Sequence, residues 1–144
     1  MNARLILYIS GLLIYGVFRS FYPTPDFDKI DTINKTSTKI DLSDDIPSPR
    51  QHHTMVVIGD YIYIFGGQSN AFNKLNDLYK IDTDGNSTKI TLNEVTDTKR
   101  RKHTMVILGS NMYIFGGFYT SILDDVIKIP FTFNTHYLNG KIAD

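Results

Sequence analysis

The strongest constraint on the fold is a segment of fifteen residues that occurs twice, fifty residues apart. Residues 53–67 read HTMVVIGDYIYIFGG and residues 103–117 read HTMVILGSNMYIFGG, and ten of the fifteen positions are identical. Each copy contains two apolar runs, rich in β-branched and aromatic residues, around a short turn, which predicts a β-hairpin. Because both faces of the second run are apolar, we expect each sheet to be packed between two similar sheets.

Two more strands follow the first copy, at residues 77–82 and 87–92, and an Asp-Gly hairpin turn separates them. Residues 125–129 repeat the first of these strands, and residues 26–31 and 38–42 match the pair once more. The repeating unit is therefore a four-stranded antiparallel meander of about 50 residues. We expect half a unit at 26–49, containing the third and fourth strands, a complete unit at 50–99, a partial unit at 100–130 and a divergent tail at 131–144.

The spacing of arginine, histidine, paired glycine and aspartate in the two copies resembles that of kelch repeats. The positions concerned are Arg50, His53, Gly66, Gly67 and Asp77 in one copy, and Arg100, His103, Gly116, Gly117 and Asp125 in the next. The resemblance covers residues 26–130. It implies an all-β fold in which tandem four-stranded antiparallel kelch blades form a partial β-propeller, and it gives these ten residues structural roles.

One position departs from the kelch pattern. Kelch blades usually carry a tryptophan in the fourth strand, and this chain has Thr88 at that place and no tryptophan at all. We expect either looser packing between blades or tyrosines, Tyr63, Tyr79 and Tyr113, in the tryptophan's space. The paired glycines predict a tight chain reversal at the end of each hairpin. A phosphate-binding loop is disfavoured because no helical pattern follows either pair.

The number of blades is small for a propeller. Propellers typically close with 4–8 blades, and this chain supplies about two. Three interpretations follow: the chain is a truncated or partial propeller, copies of it assemble into a ring, or it docks onto further kelch blades of another protein. The abrupt loss of the repeat after residue 130 favours truncation.

An apolar run of fourteen residues, 5–18, lies between Arg4 and Arg19. Its length fits the roughly 7–15 apolar residues of a helical secretory signal better than the roughly 20 residues of a membrane-spanning helix. We therefore expect residues 1–20 to be a signal peptide or an uncleaved signal anchor, with a buried helix or strand of the domain as the last alternative. We therefore expect the protein to be secreted or lumenal, and to be attached to a membrane only if this segment is an uncleaved anchor.

Charge and cysteine content exclude several classes of function. Lys and Arg together number fifteen, as do Asp and Glu, so the formal net charge is zero and no nucleic-acid partner is expected. The absence of cysteine excludes disulfides, thiolate nucleophiles and thiolate metal sites. Copper oxidases of the galactose oxidase type also have a kelch propeller, but the resemblance to them implies a tyrosine cross-linked to a cysteine, which this chain cannot form.

Candidate binding residues lie in the loops after the paired glycines and in the connections between blades, which we expect on one face. They are Gln68, Asn70, Phe72, Asn73, Arg100, Arg101, Phe118 and Tyr119. Loops on a rigid scaffold commonly carry binding functions, and the kelch resemblance implies a protein partner there. The alternative is that these loops are solvated connections without a ligand.

The histidines and two sequons complete the inventory of candidate sites. His53 and His103 occupy the same repeat position, which favours structural hydrogen bonding over metal binding, and His52 and His53 should point to opposite faces of a strand. We predict no metal site and no cofactor. Asn34 and Asn86 begin N-glycosylation sequons at equivalent turns, on the face opposite the long loops.

The leading functional hypothesis is a non-enzymatic, kelch-type interaction module that is secreted or lumenal. It would present its inter-strand loops to a protein or glycan partner. The alternatives are a remnant of a galactose-oxidase-like propeller enzyme, and an assembly subunit that completes a ring with other blades, including copies of itself.

Overall fold

The computed structural model describes residues 4–9, 12–17, 27–31, 33–92 and 99–130, and these form β-strands and turns without a helix. Accordingly, none of them belongs to a helix with the length and apolar character of a membrane span. The strands are β1 (Arg4–Ile9), β2 (Leu12–Val17), β3 (Phe27–Asp31), β4 (Thr36–Ile40), β5 (Ser43–Asp44), β6 (Arg50–Gln51), β7 (Thr54–Ile58), β8 (Tyr61–Ser69), β9 (Lys74–Asp82), β10 (Asn86–Ile90), β11 (Thr104–Leu108), β12 (Asn111–Phe118) and β13 (Ile122–Pro130).

The first sheet contains β1, β2, β3 and β4 in that order, all antiparallel. The helix expected near the N-terminus is therefore wrong for residues 4–9 and 12–17, which form β1 and β2. The periodicity of a short apolar run does not distinguish a helix from a buried strand, and isoleucine, tyrosine and valine favour strands. The half unit expected at 26–49 corresponds to β3 and β4, and β1 and β2 complete its sheet.

The second sheet is the complete repeat. Strands β7, β8, β9 and β10 follow one another as an antiparallel meander, as the sequence predicts. Two short strands extend this sheet: β5 pairs in parallel with β10 at its outer edge, and β6 pairs with the end of β8. The residues that lead out of the first sheet thus hydrogen-bond to the second sheet before its own meander begins.

The third sheet contains β11, β12 and β13, again antiparallel. These strands repeat β7, β8 and β9, and the first strands of the two units, β7 and β11, contact each other. The divergent tail predicted at 131–144 lies outside the described residues. The described residues therefore form three sheets; the third packs against one face of the second, and Phe27 of β3 packs against the other face.

Two apolar clusters cover the two faces of the second sheet, which confirms the expectation from its sequence. On one side Ile62, Ile64 and Ile81 are buried, with Phe27 and Leu42 from the first sheet's segment packed against them. On the other side a single cluster joins the second and third sheets: Tyr63, Phe65, Leu78, Met105, Met112, Ile114, Ile127 and Ile129. Thr88 is exposed, whereas Tyr63 lies in the cluster between the sheets.

The paired glycines are not chain reversals, contrary to the sequence-based expectation. Gly66 and Gly67 lie inside β8, which continues to Ser69, and the pairing register with β9 shifts between Phe65 and Gly67. This shift is a β-bulge. Both glycines in it have positive φ, a conformation that residues with a side chain rarely adopt. A Cβ on Gly66 would lie 3.0 Å from the carbonyl oxygen of Arg100, which approaches from the third sheet. Gly66 therefore makes room for the neighbouring blade, whereas Gly67 makes room for Gln51 and His53 of its own sheet.

We predict that Gly66→Ala destabilises the protein more than Gly59→Ala, although the two glycines have nearly the same φ, 59° and 57°. A Cβ at position 59 meets nothing within 4 Å, so that variant carries only the cost of a left-handed alanine, about 1–2 kcal/mol. At position 66 the added methyl also displaces backbone and the His103 ring, which should add about 1–3 kcal/mol. Urea unfolding of both variants measures the difference, and equal losses would contradict the close approach.

Candidate functional site

A buried arginine links the bulge of each repeat to its third strand. Arg50 Nη1 donates to the Gly66 carbonyl oxygen at 3.0 Å, and both terminal nitrogens of Arg50 bond to the carboxylate of Asp77. Arg100 does the same with the Gly116 carbonyl at 2.8 Å and with the two Asp125 oxygens at 2.7 Å each. The repeat positions thus form one charge-assisted, bidentate arrangement twice.

The prediction that Arg100 is a binding residue is wrong, because the structure buries it. Its side chain is fully buried and it forms the ion pair just described, so it is inaccessible to a partner. Its backbone joins two sheets, because the Arg100 N–H donates to the Leu75 carbonyl and the Arg100 carbonyl accepts from the Gly67 N–H. The hydrogen bonds of Arg100 to Asp125 lower the pKa of that carboxyl group and keep it ionised.

Two histidines lie at the seams between sheets. His103 Nε2 is 2.6 Å from Thr54 Oγ1, and its ring meets the edge of Phe65 with centroids 5.3 Å apart. Burial lowers the pKa of His103 to about 4, and the charge of Arg100 adds to that effect. Burial lowers the pKa of His53 to about 3, with smaller contributions from Arg50 and the other histidines. Both rings are therefore neutral at pH 7 and act in packing and hydrogen bonding.

The predicted binding residues divide into a supporting group and an exposed group. Gln68 is only 2% exposed, so its placement on an accessible loop is wrong; its Oε1 accepts a hydrogen bond from Arg101 Nη1 at 2.6 Å. The Arg101 guanidinium lies 5.3 Å from the centre of the Phe118 ring, and the two residues pair through their backbones. Arg101 and Phe118 are half-buried, and they connect the second sheet to the third.

The exposed group occupies the turns at the end of β8 and β12. Asn70, Phe72 and Asn73 are exposed in a turn closed by hydrogen bonds from Phe72 N to Ser69 O and from Ser69 N to Asn73 O. Phe72 is 72% exposed, and Tyr119 is exposed in the corresponding turn of the third sheet. We call these four residues, together with Arg101 and Phe118, the loop face. The loops are shorter than predicted because Gln68 and Ser69 belong to β8.

The two sequons occupy turns away from the loop face. Asn34 is exposed in the turn between β3 and β4, and Asn86 is exposed at the start of β10. The Asn86 side chain donates to Asp82 Oδ2 at 2.7 Å, and the Asn86 backbone N–H donates to Asp82 Oδ1. No group of three or more metal-ligating side chains occurs within the described part of the chain.

Sequence analysis missed two residues of this region. Thr54 forms the hydrogen bond to His103 across the seam. The same residue type recurs as Thr104 in the next repeat, and this recurrence could have indicated a structural role. Ile122 is 83% exposed at the start of β13, next to the Tyr119 turn, and no repeat pattern in the sequence marked it as exposed.

We predict that Asp125→Asn lowers the free energy of unfolding by about 1–3 kcal/mol, because the buried Arg100 loses its counter-ion at a site that is partly open to solvent. The neighbouring substitution Asp124→Asn removes the same charge from an exposed side chain and should change stability by less than about 0.5 kcal/mol. Chemical denaturation of both variants at pH 7 makes the comparison. A small loss at position 125 would show that the ion pair is dispensable.

The histidine environments predict a loss of stability in mild acid. The folded pKa values of His53 and His103 lie below the unfolded value of 6.5, so the unfolded chain takes up protons that the folded chain refuses. Stability should therefore be complete above pH 6.5 and fall towards pH 4, by up to about 1.4 kcal/mol per pH unit for each histidine. His103→Gln should reduce this slope by about one proton in urea titrations between these pH values. An unchanged slope would exclude His103 as a contributor.

Comparison with known proteins agrees with the geometry. Residues 7–138 match the family described as the KLHDC2/KLHL20/DRC7 Kelch-repeats domain. The tRNA wybutosine-synthesizing protein 2/3/4 of Oryza sativa subsp. japonica is 42% identical over 40 residues, which are 28% of this chain and 4% of that protein. The chain thus spans a small part of that relative, whereas the family match covers nearly all of the chain, including β2 and part of β1. This chain belongs to the kelch-repeat family.

Proposed function

We propose that this chain is a non-enzymatic interaction module that binds a protein partner through the loop face. The observation that supports this most directly is the exposure of Phe72 and Tyr119 on turns of neighbouring sheets. A large aromatic side chain in water, held on a short hydrogen-bonded turn, loses little conformational entropy on binding and offers much contact area. Kelch domains of this family generally act as protein-interaction modules.

The loop face has a rigid base. The turn that carries Phe72 leaves the sheet two residues after the bulge at Gly67, and the bulge carbonyl of Gly66 is bonded to Arg50. In the third sheet the same bond joins Gly116 to Arg100, just before the Tyr119 turn. Binding groups that project from a rigid support require less ordering when a partner binds.

The charge of the loop face indicates the chemistry of the partner. Lys99 and Lys102 are exposed on the connection that leads into the third sheet, and Arg101 of the same connection lies against the Phe118 ring. A segment that combines a carboxylate with an apolar side chain would therefore complement both the cations and the exposed aromatic rings.

We expect Phe72→Asp and Tyr119→Asp to abolish capture of a partner from an extract of the source cells by the immobilised full-length chain. Each substitution removes an aromatic anchor and adds a charge that repels an acidic segment. The matched control is Ser110→Asp, which adds the same charge to the exposed β11–β12 turn at the other end of the sheet. Quantitative mass spectrometry of the captured proteins compares the four samples.

A protein captured equally by the native chain and by Phe72→Asp would not bind at the loop face, and the proposal would be wrong if all captured proteins behaved so. The glycan alternative predicts a different result, because capture would then be lost after glycosidase treatment of the extract and retained after limited proteolysis.

The secretory signal and the two glycosylation sites remain separate predictions. Cleavage near residue 20 would remove β1 and β2 from the first sheet, so the N-terminal sequence of the purified protein distinguishes a cleaved signal from a retained strand pair. An N-glycosidase that leaves the mass of the protein unchanged would refute glycosylation at both Asn34 and Asn86.

A further inference from the structure

An exposed serine hydroxyl lies against the buried arginine of the second repeat. Ser48 belongs to the connection between β5 and β6. Its Oγ accepts a hydrogen bond from Arg50 Nη2 at 3.3 Å, and its carbonyl oxygen accepts one from Arg50 Nε at 3.0 Å. Together with the bonds to the Gly66 carbonyl and to both Asp77 oxygens, Arg50 makes five hydrogen bonds, one for each N–H of a guanidinium group. A stronger acceptor at Ser48 must therefore compete with the partners that Arg50 already has.

The connection presents Ser48 in an extended segment between two prolines. Ile46 and Ser48 each precede a proline, which restricts both residues to extended backbone conformations. Pro47 is buried and anchors the segment, while Ile46 and Ser48 are exposed and belong to no strand or turn. An accessible serine on an extended segment, followed directly by proline, is the substrate pattern of proline-directed kinases. The third repeat lacks this pattern, because Thr98 and Lys99 stand fifty residues later.

We propose that Ser48 is a phosphorylation site, and that a phosphate on it competes with Asp77 for Arg50. A proline-directed kinase transfers the γ-phosphoryl group of ATP to Ser48 Oγ. The bond between Oγ and phosphorus forms as the bond from phosphorus to the departing ADP oxygen breaks, and the hydroxyl proton passes to a base of the kinase. The product is a phosphoserine within reach of a buried guanidinium.

The charges around Arg50 determine the effect of that phosphate. Phosphoserine carries about −1.5 to −2 charges at pH 7 and has three strong acceptor oxygens. Arg50 already has a counter-ion in Asp77, whose side chain is only 15% exposed. The nitrogen nearest to Ser48, Nη2, is also the one that holds Asp77 Oδ2 at 3.0 Å. The phosphate therefore adds a surplus negative charge beside a poorly hydrated carboxylate and weakens the ion pair between Arg50 and Asp77.

A second carboxylate lies in the same neighbourhood. Burial, and then the charges of Asp77 and Asp45, raise the pKa of the Tyr79 hydroxyl, while Arg50 acts in the opposite direction. The Arg50 guanidinium lies 5.2 Å from the centre of the Tyr79 ring. Two carboxylates and one guanidinium thus surround Tyr79, so a phosphate on Ser48 meets more repulsion than Arg50 alone can offset.

The same arginine supports the turn that carries Phe72. Arg50 Nη1 donates to the Gly66 carbonyl at the bulge from which that turn leaves the sheet. A phosphate that draws the guanidinium towards Ser48 therefore loosens the base of the Phe72 turn. In the third repeat, Arg100 supports the base of the Tyr119 turn in the same way. That turn has no Ser-Pro pair beside its arginine and is an internal reference.

The first test is phosphate transfer from ATP to the full-length chain by a purified proline-directed serine kinase. Thr24 also precedes a proline, so every protein in the test carries Thr24→Ala. Peptide mass spectrometry should locate the phosphate at Ser48, both after this reaction and in the chain purified from its source cells. Pro49→Ala keeps the acceptor hydroxyl and should lower the rate by about tenfold or more. No phosphate at Ser48, or an equal rate without Pro49, would overturn the assignment.

The second test compares urea unfolding of the phosphorylated chain with the same sample after phosphatase treatment. Phosphorylation should raise the unfolding equilibrium constant by about fivefold or more. In Asp77→Asn the sign should reverse, because Arg50 then lacks a counter-ion and the phosphate supplies one. A phosphate that leaves stability unchanged, or that shifts both proteins in the same direction, would contradict the competition for Arg50.

Hydrogen exchange of the phosphorylated chain gives a result even if Asp77→Asn does not fold. Phosphorylation should speed amide exchange in residues 67–73 and leave residues 117–121 unchanged. Equal changes in the two turns would indicate general destabilisation and would overturn the competition at Arg50. None of these measurements requires a binding partner, so they decide the role of Ser48 independently of what binds the loop face.

Discussion

The rest of this structure depends on burying an arginine at the bulge of each repeat and pairing it with an aspartate of the third strand. A buried guanidinium is costly unless its donors are used, and here the donors reach a carboxylate on the third strand and a carbonyl at the bulge. Arg100 does this with Asp125 and Gly116 while its own backbone bonds to Leu75 and Gly67 of the preceding sheet. One residue therefore fixes the fold within a blade and the contact between two blades.

This constraint explains why a glycine is needed at position 66 and why the loop face can differ between repeats. The backbone of Arg100 approaches Gly66 so closely that a side chain there would displace it, and the positive φ of both glycines bends β8 at that point. Beyond the bulge, residues 70–73 and 119–121 have no part in these bonds. The chain can therefore vary the turn sequences, from the Phe72 turn to the Tyr119 turn, without disturbing the frame that supports them.

The repeat made the middle and third sheets predictable from sequence, whereas three features depended on information that the pattern does not contain. Strands β1 and β2 lack the paired glycine and the arginine–histidine spacing, so their apolar sequence suggested a targeting helix. The glycine pair fits a turn as well as a bulge, and only the pairing of β8 with β9 distinguishes them. Gln68 and Arg100 are polar residues near loops, but both are buried: Gln68 accepts a hydrogen bond from Arg101, and Arg100 donates to Gly116 and Asp125 of its own repeat.

The two faces of each sheet are chemically different, and this difference gives the stack a direction. The second and third sheets meet through an aromatic face, with Tyr63 and Phe65, and a face of methionine and isoleucine, with Met105 and Ile114. The polar contacts also have a direction, because His103 and Lys102 of the third repeat bond to Thr54 and His52 of the second. Two identical faces therefore cannot reproduce this contact, and any sheet added to the third must continue in the same direction along the stack.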